Sequence, residues 1–512
     1  MVGALTERSG VRRGPFRVPH DSKPFPKPPL DLARRSGYLF PVAMRILKTP
    51  KNLLPQFAAL CLLSILGVAI APLATSLVAQ ENMRGMDKLD FREVVRSAKE
   101  KVFPTVVFIK VVREDLAGGK KTSQEVSGSG VLVSADGEIL SNWHVVDKAV
   151  EVRCLLADGR AFEAKIVGSD KDVDVCLLKL KLPEGSAPLP FAPLGRSAEL
   201  TEGSFVMAMG APWGMSRSVS IGIVSCTKRF LPGTSEYSFW LQTDAAISPG
   251  NSGGPLVNTA GEVIGINTRG MMAGGDTGFA TPIEVVKAVV DRIRVGGKVD
   301  WSWTGLQLQP LKDFNRNIYF DATNGVMVAE TDNGSPARRA GILAGDRLVS
   351  VNGEPVTAMT DEDLPVVRRL LGFLAKNTPA KLDLIRKGET VKVEVKPTAK
   401  GQVEGDELDC PRWDFTVKAI NQFDNPDLHF QREKGVFVYG VKYPGNAASV
   451  LQQKDILLKV DGKDIATLDD VKGYHKDAVA NLAAKSRAVF TILRNGLMRQ
   501  VVLDFSRNYE KE

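Results

Sequence analysis

Residues 102–285 carry a long succession of short β-branched runs, and this texture restricts the fold more than any other feature of the chain. The runs include VFPTVVFIKVV, SGVLVSADGEILSNW and PLVNTAGEVIGI, and turn signals such as ADG, GSD and TAG separate them. Many strands at close spacing without intervening helices indicate an all-β barrel or sandwich. Amphipathic helices are predicted only at the two edges of this region, over 91–101 and 283–295.

A second kind of unit follows the β-rich region and occurs twice, beginning at Gly325 and again at Gly435. When Asp346 is aligned with Asp455, the two copies stay in register at an offset of 109 residues. Solenoid repeats have periods of roughly 20 to 50 residues, so a repeat of this length indicates a duplicated small domain. The polar stretch 396–409 lies between the copies and is predicted to be a linker.

The basic charge of the chain is confined to a leader, residues 1–52. This leader holds eleven Lys or Arg and three acidic residues, an excess equal to the net charge of +8 of all 512 residues. Its eight prolines and small apolar content predict that it is disordered. Because the remainder carries no net charge, binding to nucleic acid is disfavoured.

Residues 53–79 contain no charged side chain and form either a secretory signal peptide or a membrane anchor. Met44 opens a short basic segment, MRILKTPKN, which is typical of the region before the apolar core of a signal, and we expect the true start there. Small residues such as Ala74 and Ala79 favour cleavage over retention. In both cases the rest of the chain faces the far side of a membrane.

The cysteines give no sign of a disulfide framework or a metal site. Neither a CxxC nor an HExxH motif occurs, and the cysteines are widely scattered. They are Cys61, Cys154, Cys176, Cys226 and Cys410. We expect small buried side chains, and neither a metal nor another cofactor is predicted.

The stretch ISPGNSGGPL, residues 247–256, encloses Ser252 between glycines just before an apolar strand. Glycine tolerates positive φ and lets other backbone come close, so the stretch alone fits a tight turn as well as it fits an exposed nucleophile. A serine nucleophile needs a base to take its proton and a third group to orient that base. The rest of the sequence therefore decides between the two interpretations.

One histidine, His144, lies within residues 80–300 and is the candidate base. The candidate acids in SDKDVDVCLLKL are Asp170, Asp172 and Asp174. Asp174 is favoured because it directly precedes a predicted buried strand, where its carboxylate would fix the imidazole tautomer and stabilise the imidazolium. The order His144, Asp174, Ser252 is that of the double β-barrel proteases, in agreement with the β-rich texture.

The glycines around the serine also have a chemical use. Acyl transfer generates an oxyanion, and preorganised backbone N–H groups that point at it are worth about 2.7 to 4 kcal/mol each. The N–H groups of Gly250 and Ser252, with Asn251 between them, are the predicted donors, and Pro249 stiffens the loop.

The segments GSGVLVSADGEILSNWHVV, SDKDVDVCLLKL and QTDAAISPGNSGGPLVNTAGEVIGINT resemble the trypsin-like serine proteases of the HtrA/DegP (Do) family, and the two repeats are similar to its PDZ domains. The resemblance covers about residues 90–510. It implies a mainly β chain, with a trypsin-like double β-barrel over 80–300, a PDZ domain over 301–400 and a divergent PDZ domain over 409–512.

The same resemblance assigns residues and a function. It carries over His144, Asp174 and Ser252 as the catalytic triad, and Gly250, Asn251 and Ser252 as the oxyanion loop. The family degrades unfolded proteins in the periplasm or cell envelope, is often built from trimers, and sometimes acts as a chaperone. We therefore expect unfolded polypeptides and peptide C-termini as partners, and a homotrimer or a multiple of it.

Two alternatives to this function stay open. The first is a holding chaperone or scaffold in which the barrel and the repeats bind chains with little turnover. The second is a regulatory site protease that keeps residues 53–79 as an anchor in the inner membrane. The complete set of three catalytic side chains favours the enzyme over the scaffold.

Substrate preference is predicted from the residues around the candidate pocket. Ala246 lies six residues before Ser252, at the expected floor of the pocket, and Ile247 follows it. Without an acid there, a basic substrate side chain would be unpaired, so cleavage after small or medium aliphatic residues is expected. The Gly-rich stretch 269–279 is predicted to form a mobile wall, and Asp244 is expected to be structural.

PDZ domains bind an extended peptide as an added strand and capture its carboxylate with a backbone loop. In the first repeat, residues 304–311 resemble this loop and strand, with Gly305 and Leu306 as the predicted capture residues. In the second repeat, Asp414 stands where glycine is expected, and its negative charge disfavours capture of a C-terminus. A structural or assembly role for the second domain is therefore as well supported as ligand binding.

Overall fold

The computed structural model describes residues 90–212, 217–271, 277–315 and 322–509. The predictions made for the leader, for Met44, for residues 53–79 and for Cys61 lie outside these ranges. None of the helices in the described ranges has the length and apolar character required to cross a bilayer.

Two closed six-stranded β-barrels make up the region that the sequence predicts to be all-β. The strands of the first barrel are β1 (Val106–Asp115), β2 (Thr122–Leu132), β3 (Glu138–Ser141), β4 (Ala149–Leu155), β5 (Ala161–Asp170) and β6 (Val175–Leu180). Those of the second are β7 (Phe205–Gly210), β8 (Ser218–Arg229), β9 (Trp240–Thr243), β10 (Pro255–Asn258), β11 (Val263–Met271) and β12 (Thr277–Pro282). The barrels close in the orders β1-β2-β3-β6-β5-β4 and β10-β11-β12-β9-β8-β7, which confirms the predicted double barrel.

Helices flank the barrels where the hydrophobic periodicity predicts them. The first, α1 (Phe91–Val102), begins after Asp90, whose side chain accepts a hydrogen bond from a backbone N–H of the first turn. A single turn, α2 (Trp143–Val146), follows β3. The third, α3 (Ile283–Gly296), buries its apolar face in a core shared by both barrels and ends at Gly297, which has a φ of 71°.

Both repeats fold as PDZ-like β domains. The strands of the first are β13 (Ser302–Trp303), β14 (Leu306–Gln309), β15 (Val326–Thr331), β16 (Arg347–Val351), β17 (Glu354–Pro355), β18 (Ala380–Arg386), β19 (Glu389–Val395) and β20 (Thr398–Ala399). Its helices are α4 (Lys312–Asn315), α5 (Pro336–Arg339) and α6 (Leu364–Gly372). The main sheet has the order β14-β15-β16-β18-β19 with β17 on β16, and β13 pairs with β20.

The second domain repeats this sheet with one strand added at its edge. Its strands are β21 (Glu407–Cys410), β22 (Phe415–Ala419), β23 (Val436–Val441), β24 (Ile456–Val460), β25 (Lys463–Asp464), β26 (Arg487–Arg494) and β27 (Leu497–Asp504). Its helices are α7 (Pro426–Gln431) and α8 (Leu468–Ala480). The order β21-β22-β23-β24-β26-β27 makes β22 the counterpart of β14, and β21 has no counterpart among the described strands of the first sheet.

The aspartates that align the two repeats hold equivalent positions. Asp346 is buried, and its carboxylate accepts hydrogen bonds from Arg386 at 2.6 and 2.7 Å. Asp455 makes the same pair with Arg494 at 2.5 and 2.7 Å. Each arginine ends the strand, β18 or β26, that pairs with the strand after the aspartate, so the bidentate pair fixes this turn to its sheet.

The prediction of a linker over 396–409 is wrong for part of that stretch. Residues 398–399 form β20, and β21 begins at Glu407 and pairs with β22. Two of its acidic side chains pair with lysines of the first barrel, Glu404 with Lys171 and Glu407 with Lys148. Part of this polar stretch is therefore a contact between domains.

The four described cysteines are free. Cys154, Cys176 and Cys410 are buried, as predicted, whereas Cys226 is half-buried. Burial raises the pKa of the Cys154 thiol to about 12, so it stays protonated and unreactive. Within the described ranges, no three His, Cys, Asp or Glu side chains are grouped to hold a metal ion.

Asp170 ties the first barrel to the segment that leads into the first PDZ-like domain. Its carboxylate accepts hydrogen bonds from the Val173 N–H at 3.0 Å and from Nε1 of Trp301 at 2.6 Å. Trp301 stacks between Tyr237 and Phe373, with ring centroids 4.0 and 4.8 Å away. Burial is the main cause that raises the pKa of Asp170 to about 7.

The folded chain therefore keeps the Asp170 proton at pH values where the unfolded chain, with a carboxyl pKa of about 3.9, has lost it. This stabilisation is complete below about pH 4 and is lost as the pH rises through about 7. In Asp170→Asn this dependence should vanish, so calorimetry should show the wild-type Tm falling relative to that of the variant across this pH range. Asp291→Asn, with a side chain 70% exposed, is the control, and parallel profiles for wild type and Asp170→Asn would refute the shift.

Candidate active site

The three candidate catalytic residues come from loops at the interface of the two barrels. His144 lies in α2, directly after β3, and Asp174 lies in the turn between β5 and β6. Ser252 lies in the loop between β9 and β10 of the second barrel. The backbone N–H of Ser129 in β2 donates to the Ser252 carbonyl at 2.8 Å, which joins the two barrels next to the serine.

Asp174 holds the imidazole of His144 through both carboxylate oxygens. Nδ1 lies 3.0 Å from Oδ1 and 2.8 Å from Oδ2, and the His144 backbone N–H donates to Oδ1 at 3.0 Å. The Asp174 side chain is 5% exposed, whereas that of His144 is 38% exposed. A carboxylate at Nδ1 keeps the proton on that nitrogen, which leaves Nε2 as the basic atom of the ring.

A buried asparagine, Asn142, supports this pair. Its Nδ2 donates to the Asp174 carbonyl at 2.9 Å and to Thr268 Oγ1 at 3.2 Å. Asp174 has a φ of 54°, a left-handed conformation that costs a non-glycine residue roughly 1–2 kcal/mol and that this hydrogen bond helps to hold. Asn142 belongs to no motif, and its only signal in the sequence is its position two residues before His144.

Buried threonines of the second barrel extend these contacts. Thr268 Oγ1 lies 3.3 Å from Thr281 Oγ1, and the Thr281 hydroxyl donates to the Val173 carbonyl at 3.3 Å. Val173 directly precedes Asp174 in the first barrel. A chain of buried polar groups thus crosses the interface between the barrels and returns to the residue beside the acid.

Of the three candidate acids, only Asp174 contacts His144 within the described ranges. Asp170 accepts its hydrogen bonds elsewhere, as described above. Asp172 pairs with Nζ of Lys400 at 2.7 Å, and that lysine side chain is 6% exposed. The other two acids therefore have structural partners, and the contact with His144 singles out Asp174.

The Ser252 hydroxyl shares a cavity with His144 but is bonded elsewhere. Oγ donates to the Thr268 carbonyl at 2.9 Å, and within the described ranges no hydrogen bond joins Ser252 to His144. Both side chains line a cavity of about 410 Å³. Catalytic hydrogen bonds are often long or poorly aligned before substrate binds. The Ser252 hydroxyl would have to leave the Thr268 carbonyl before it could donate to the imidazole.

Glycine is required in the serine loop by both conformation and space. Gly250 and Gly253 have φ values of 96° and 84°, in the range that favours glycine. A Cβ on Gly253 would lie 2.2 Å from the Ser129 carbonyl oxygen, so the barrels approach this closely only because the residue has none. The Ser129 hydroxyl donates to the Gly250 carbonyl at 2.6 Å and fixes that peptide. The glycines that form the tight turn therefore also place Ser252 at the cavity.

The predicted oxyanion residues differ in how their amides are used. The Asn251 N–H donates to the Ser248 carbonyl at 3.0 Å, and its buried Oδ1 accepts a hydrogen bond from Ser218 Oγ at 3.3 Å. The N–H groups of Gly250 and Ser252 donate to no other residue of the described ranges. These two amides are therefore available to a negative oxygen, and Asn251 shapes the loop between them.

The predicted pocket residues Ala246 and Ile247 line the same cavity as Ser252. The Ala246 carbonyl accepts a hydrogen bond from Ser220 Oγ at 2.6 Å. Ile247 fills the space beside Gly278, where a Cβ would lie 2.7 Å from its Cδ1. No Asp or Glu belongs to the described lining of this cavity.

The described residues of the Gly-rich stretch 269–279 belong to strands. Its first residues end β11 and its last residues begin β12, while 272–276 lie outside the described ranges. Arg269 and Thr277, at these strand ends, line the cavity. Nearby, Asp244 accepts a hydrogen bond from a backbone N–H of β8 at 2.7 Å, which is a structural contact.

The predicted capture residues of the first PDZ-like domain lie at the start of β14. Gly305 has a φ of 74°, and its carbonyl accepts a hydrogen bond from the Asp332 N–H at 2.9 Å. A Cβ on Gly305 would lie 2.1 Å from Ser335 Cβ, so only glycine fits. Leu306 begins β14, whose outer edge pairs with no described strand. A cavity of about 360 Å³ opens there, lined in part by Gly305, Leu306 and Leu371 of α6.

Two known domain families match the β-barrel region and the first PDZ-like domain. The trypsin-like peptidase domain family matches residues 128–266, and the PDZ domain family matches residues 304–396. The probable periplasmic serine endoprotease DegP-like of Ectopseudomonas mendocina is 36% identical over 395 residues, which cover 74% of this chain and 80% of the relative. The protein of the same name from Hahella chejuensis is 34% identical over 391 residues, with coverages of 74% and 80%.

Solved structures give the same picture. The HtrA-type protease AlgW with a tripeptide has a TM-score of 0.53 at 30% identity, and the match covers 60% of this chain and 97% of that one. The same protease with a decapeptide has a TM-score of 0.51 at 29% identity, with coverages of 60% and 99%. Nearly the whole of each solved chain is therefore represented in the chain described here.

Asp174→Asn should slow the reaction of Ser252 with a fluorophosphonate probe. Loss of this carboxylate from a triad costs about 10⁴-fold in rate, because the imidazole takes the wrong tautomer. Mass spectrometry of the labelled chain measures the rate. Asp172→Asn is the matched control and should react nearly as fast as the wild type, and equal losses in the two variants would exclude the role assigned to Asp174.

Proposed function

The chain belongs to the family of DegP-like, HtrA-type serine endoproteases, and from this premise we propose that His144, Asp174 and Ser252 are its catalytic triad. The observation that carries the proposal is the contact of Asp174 with both the ring and the backbone of His144, which itself shares a cavity with Ser252. A triad of this kind cleaves peptide bonds without a cofactor.

The mechanism follows from the positions of these groups. Ser252 Oγ turns from the Thr268 carbonyl to Nε2 of His144, which takes the proton as Oγ attacks the substrate carbonyl. The N–H groups of Gly250 and Ser252 bind the oxygen that becomes negative. His144 then protonates the leaving amine, and in the second half of the reaction it activates the water that releases the acyl product. The Asp174 carboxylate orients the ring and stabilises the imidazolium when it forms.

Cleavage after small or medium aliphatic residues is the proposed specificity. The cavity next to Ser252 has Ala246 and Ile247 in its wall and no carboxylate in its described lining, while Arg269 adds a positive charge. A basic substrate side chain would be desolvated there without a partner, which is costly. The packing of Ile247 against Gly278 also limits the room for large side chains.

Unfolded polypeptides outside the cytoplasm are the proposed substrates. The relatives named above are called probable periplasmic endoproteases, and we place this chain in the periplasm or cell envelope on that ground. Removal of residues 53–79 as a signal peptide accords with this location, and a homotrimer or a multiple of it is the proposed assembly. The related solved proteases carry peptides, and here Gly305 and Leu306 are the proposed site for peptide C-termini.

Ser252→Ala should abolish cleavage of casein, with kcat lower by about 10⁶-fold, because the nucleophile is lost. Electrophoresis of labelled casein measures the rate. Ser225→Ala removes an exposed hydroxyl of β8, outside this cavity, and it should cleave casein as the wild type does. Continued cleavage by Ser252→Ala would refute the proposal, and if the chain only suppressed aggregation without cutting, the holding chaperone would replace it.

Ile247→Ala should widen the pocket. Because one methylene in a hydrophobic pocket discriminates by 10-fold or more, the ratio of kcat/KM for Leu over Val before the scissile bond should rise by about tenfold. Cleavage of a peptide library followed by mass spectrometry gives the ratio. The control Ile221→Ala makes the same change at a residue of β8 that is 45% exposed, and an unchanged preference in Ile247→Ala would remove this residue from the pocket.

A further inference from the structure

The two PDZ-like domains differ at the strand edge where a peptide would bind. A PDZ ligand adds as an antiparallel strand to one sheet edge, beside a helix. In the first domain this edge is β14, which pairs only with β15 among the described strands. In the second domain the corresponding strand β22 pairs with β23 on one side and with β21 on the other. The ligand position is thus filled by the chain's own β21.

The strand β21 occupies this position as a ligand would. It runs antiparallel to β22 with the register Glu407–Lys418, Leu408–Val417, Asp409–Thr416 and Cys410–Phe415. Helix α8, the counterpart of α6, packs against it. Cys410 is fully buried and belongs to the same apolar cluster as Val471 of α8. Backbone hydrogen bonds on one side and a buried side chain on the other therefore leave no room for a second strand.

A carboxylate is also built into the loop that would capture one. Asp414 precedes β22 as Gly305 precedes β14, and both have positive φ, 57° and 74°. The Asp414 side chain is 2% exposed, and its oxygens accept from the Asn446 N–H at 2.9 Å and from Nζ of Lys442 at 3.1 Å. A buried negative charge, paired with Lys442, is thus placed in the loop that corresponds to the proposed capture loop of the first domain.

Contacts with the first barrel hold β21 and β22 in place. Glu407 Oε1 lies 2.8 Å from Nζ of Lys148 and 3.3 Å from Nζ of Lys418. Asp409 accepts a hydrogen bond from the Lys121 N–H at 3.2 Å. The Lys418 and Glu407 side chains are only 6% and 12% exposed. Removal of β21 by a competing strand would take the Glu407 carboxylate away from both lysines, which would keep only Asp424 and Asp115 as acidic partners within the described ranges.

Strands β22 and β23 each add a close contact with the first barrel. The Thr416 hydroxyl of β22 donates to the Leu116 carbonyl at 2.7 Å. A Cβ on Gly440 of β23 would lie 2.2 Å from the Ala117 carbonyl oxygen, so the loop between β1 and β2 packs directly on the sheet.

The charge of Lys148 is also kept at this interface. Burial alone would lower the pKa of Lys148, but the hydrogen bond and charge of Glu407 raise it, so this lysine stays charged.

We propose that the second PDZ-like domain is closed to peptide C-termini, because β21 fills its ligand edge and fastens it to the first barrel. The domain is a docking module whose partner is the first barrel of its own chain. Closure of this domain does not depend on the proposed function of the first domain, but the statement that a peptide binds at Gly305 and Leu306 instead does rest on it.

Hydrogen exchange of the full chain, inactivated by Ser252→Ala, tests the closure directly. The amides of residues 415–419 should exchange slowly without peptide, and a peptide with a free apolar C-terminus should leave them unchanged. Fast exchange of 415–419 in the free chain, or extra protection there with peptide, would overturn the closure. Protection of residues 306–309 by the free acid but not by its C-terminal amide reports on the first domain separately, so its failure would count only against that proposed site.

Two variants separate the filled edge from the charge of the loop. Asp414→Gly restores the expected glycine and should still give no peptide-induced protection at 415–419. Protection there would show that the charge of Asp414, and not β21, had closed the site.

The double variant Glu407→Ala, Asp409→Ala removes the contacts of β21 with the first barrel and should speed exchange in β21 and β22 at least tenfold. Its control, Glu389→Ala, Glu394→Ala, removes two exposed acids of β19 and should not, and equal effects of the two pairs would overturn the docking.

Discussion

The close approach of the two barrels at Gly253 is the constraint on which the active site depends. Without a side chain there, the serine loop of the second barrel reaches the Ser129 carbonyl of the first. The Ser129 hydroxyl bridges the Gly250 carbonyl and the Ala211 N–H, both of the second barrel. Since Ser252 belongs to one barrel and His144 to the other, this contact positions the two proposed catalytic side chains relative to each other.

Buried polar contacts help to fix the relative orientation of the barrels, beside the apolar core that they share. Thr268 is central to them, because its carbonyl accepts the Ser252 hydroxyl while its own hydroxyl accepts from Asn142, which holds Asp174. Each such hydrogen bond contributes only about 1 kcal/mol net, but a buried group left without its partner costs about 1–3 kcal/mol. Other relative orientations of the two barrels would leave these buried groups without partners and are therefore disfavoured. Thr268 contacts Ser252 directly and Asp174 through Asn142, so one residue helps to position both.

The sequence predicts the barrels, the flanking helices α1 and α3 and the candidate triad because each leaves a local pattern. Alternating β-branched runs indicate strands, and the glycines around Ser252 are demanded by the positive φ of Gly250 and Gly253. Asn142 leaves no such pattern, since its partners Asp174 and Thr268 lie 32 and 126 residues away in the chain. Hydrophobic periodicity detects apolar burial only, and a buried polar group whose partners are distant is invisible to it.

The strand β21 was missed for a related reason. The composition of β21 predicts an exposed segment because two of its four residues are acidic. Glu407 is nevertheless nearly buried between Lys148 and Lys418. The charge of Glu407 is balanced by one lysine of the first barrel and by one lysine of the neighbouring strand β22. The duplication was visible because both copies keep an aspartate at the same turn, but the edge strand that makes the copies different lies before the repeated motif.

The same strand limits the movement of the first PDZ-like domain. That domain follows α3 at one end and reaches β21 at the other through residues 400–406, which span at most about 25 Å when fully extended. Lys400 and Glu404 in this span bind Asp172 and Lys171 of the first barrel, so the free length is shorter still. A module held at both ends can pivot but cannot move far from the barrels, so a polypeptide bound at its proposed peptide site would stay close to the proposed nucleophile.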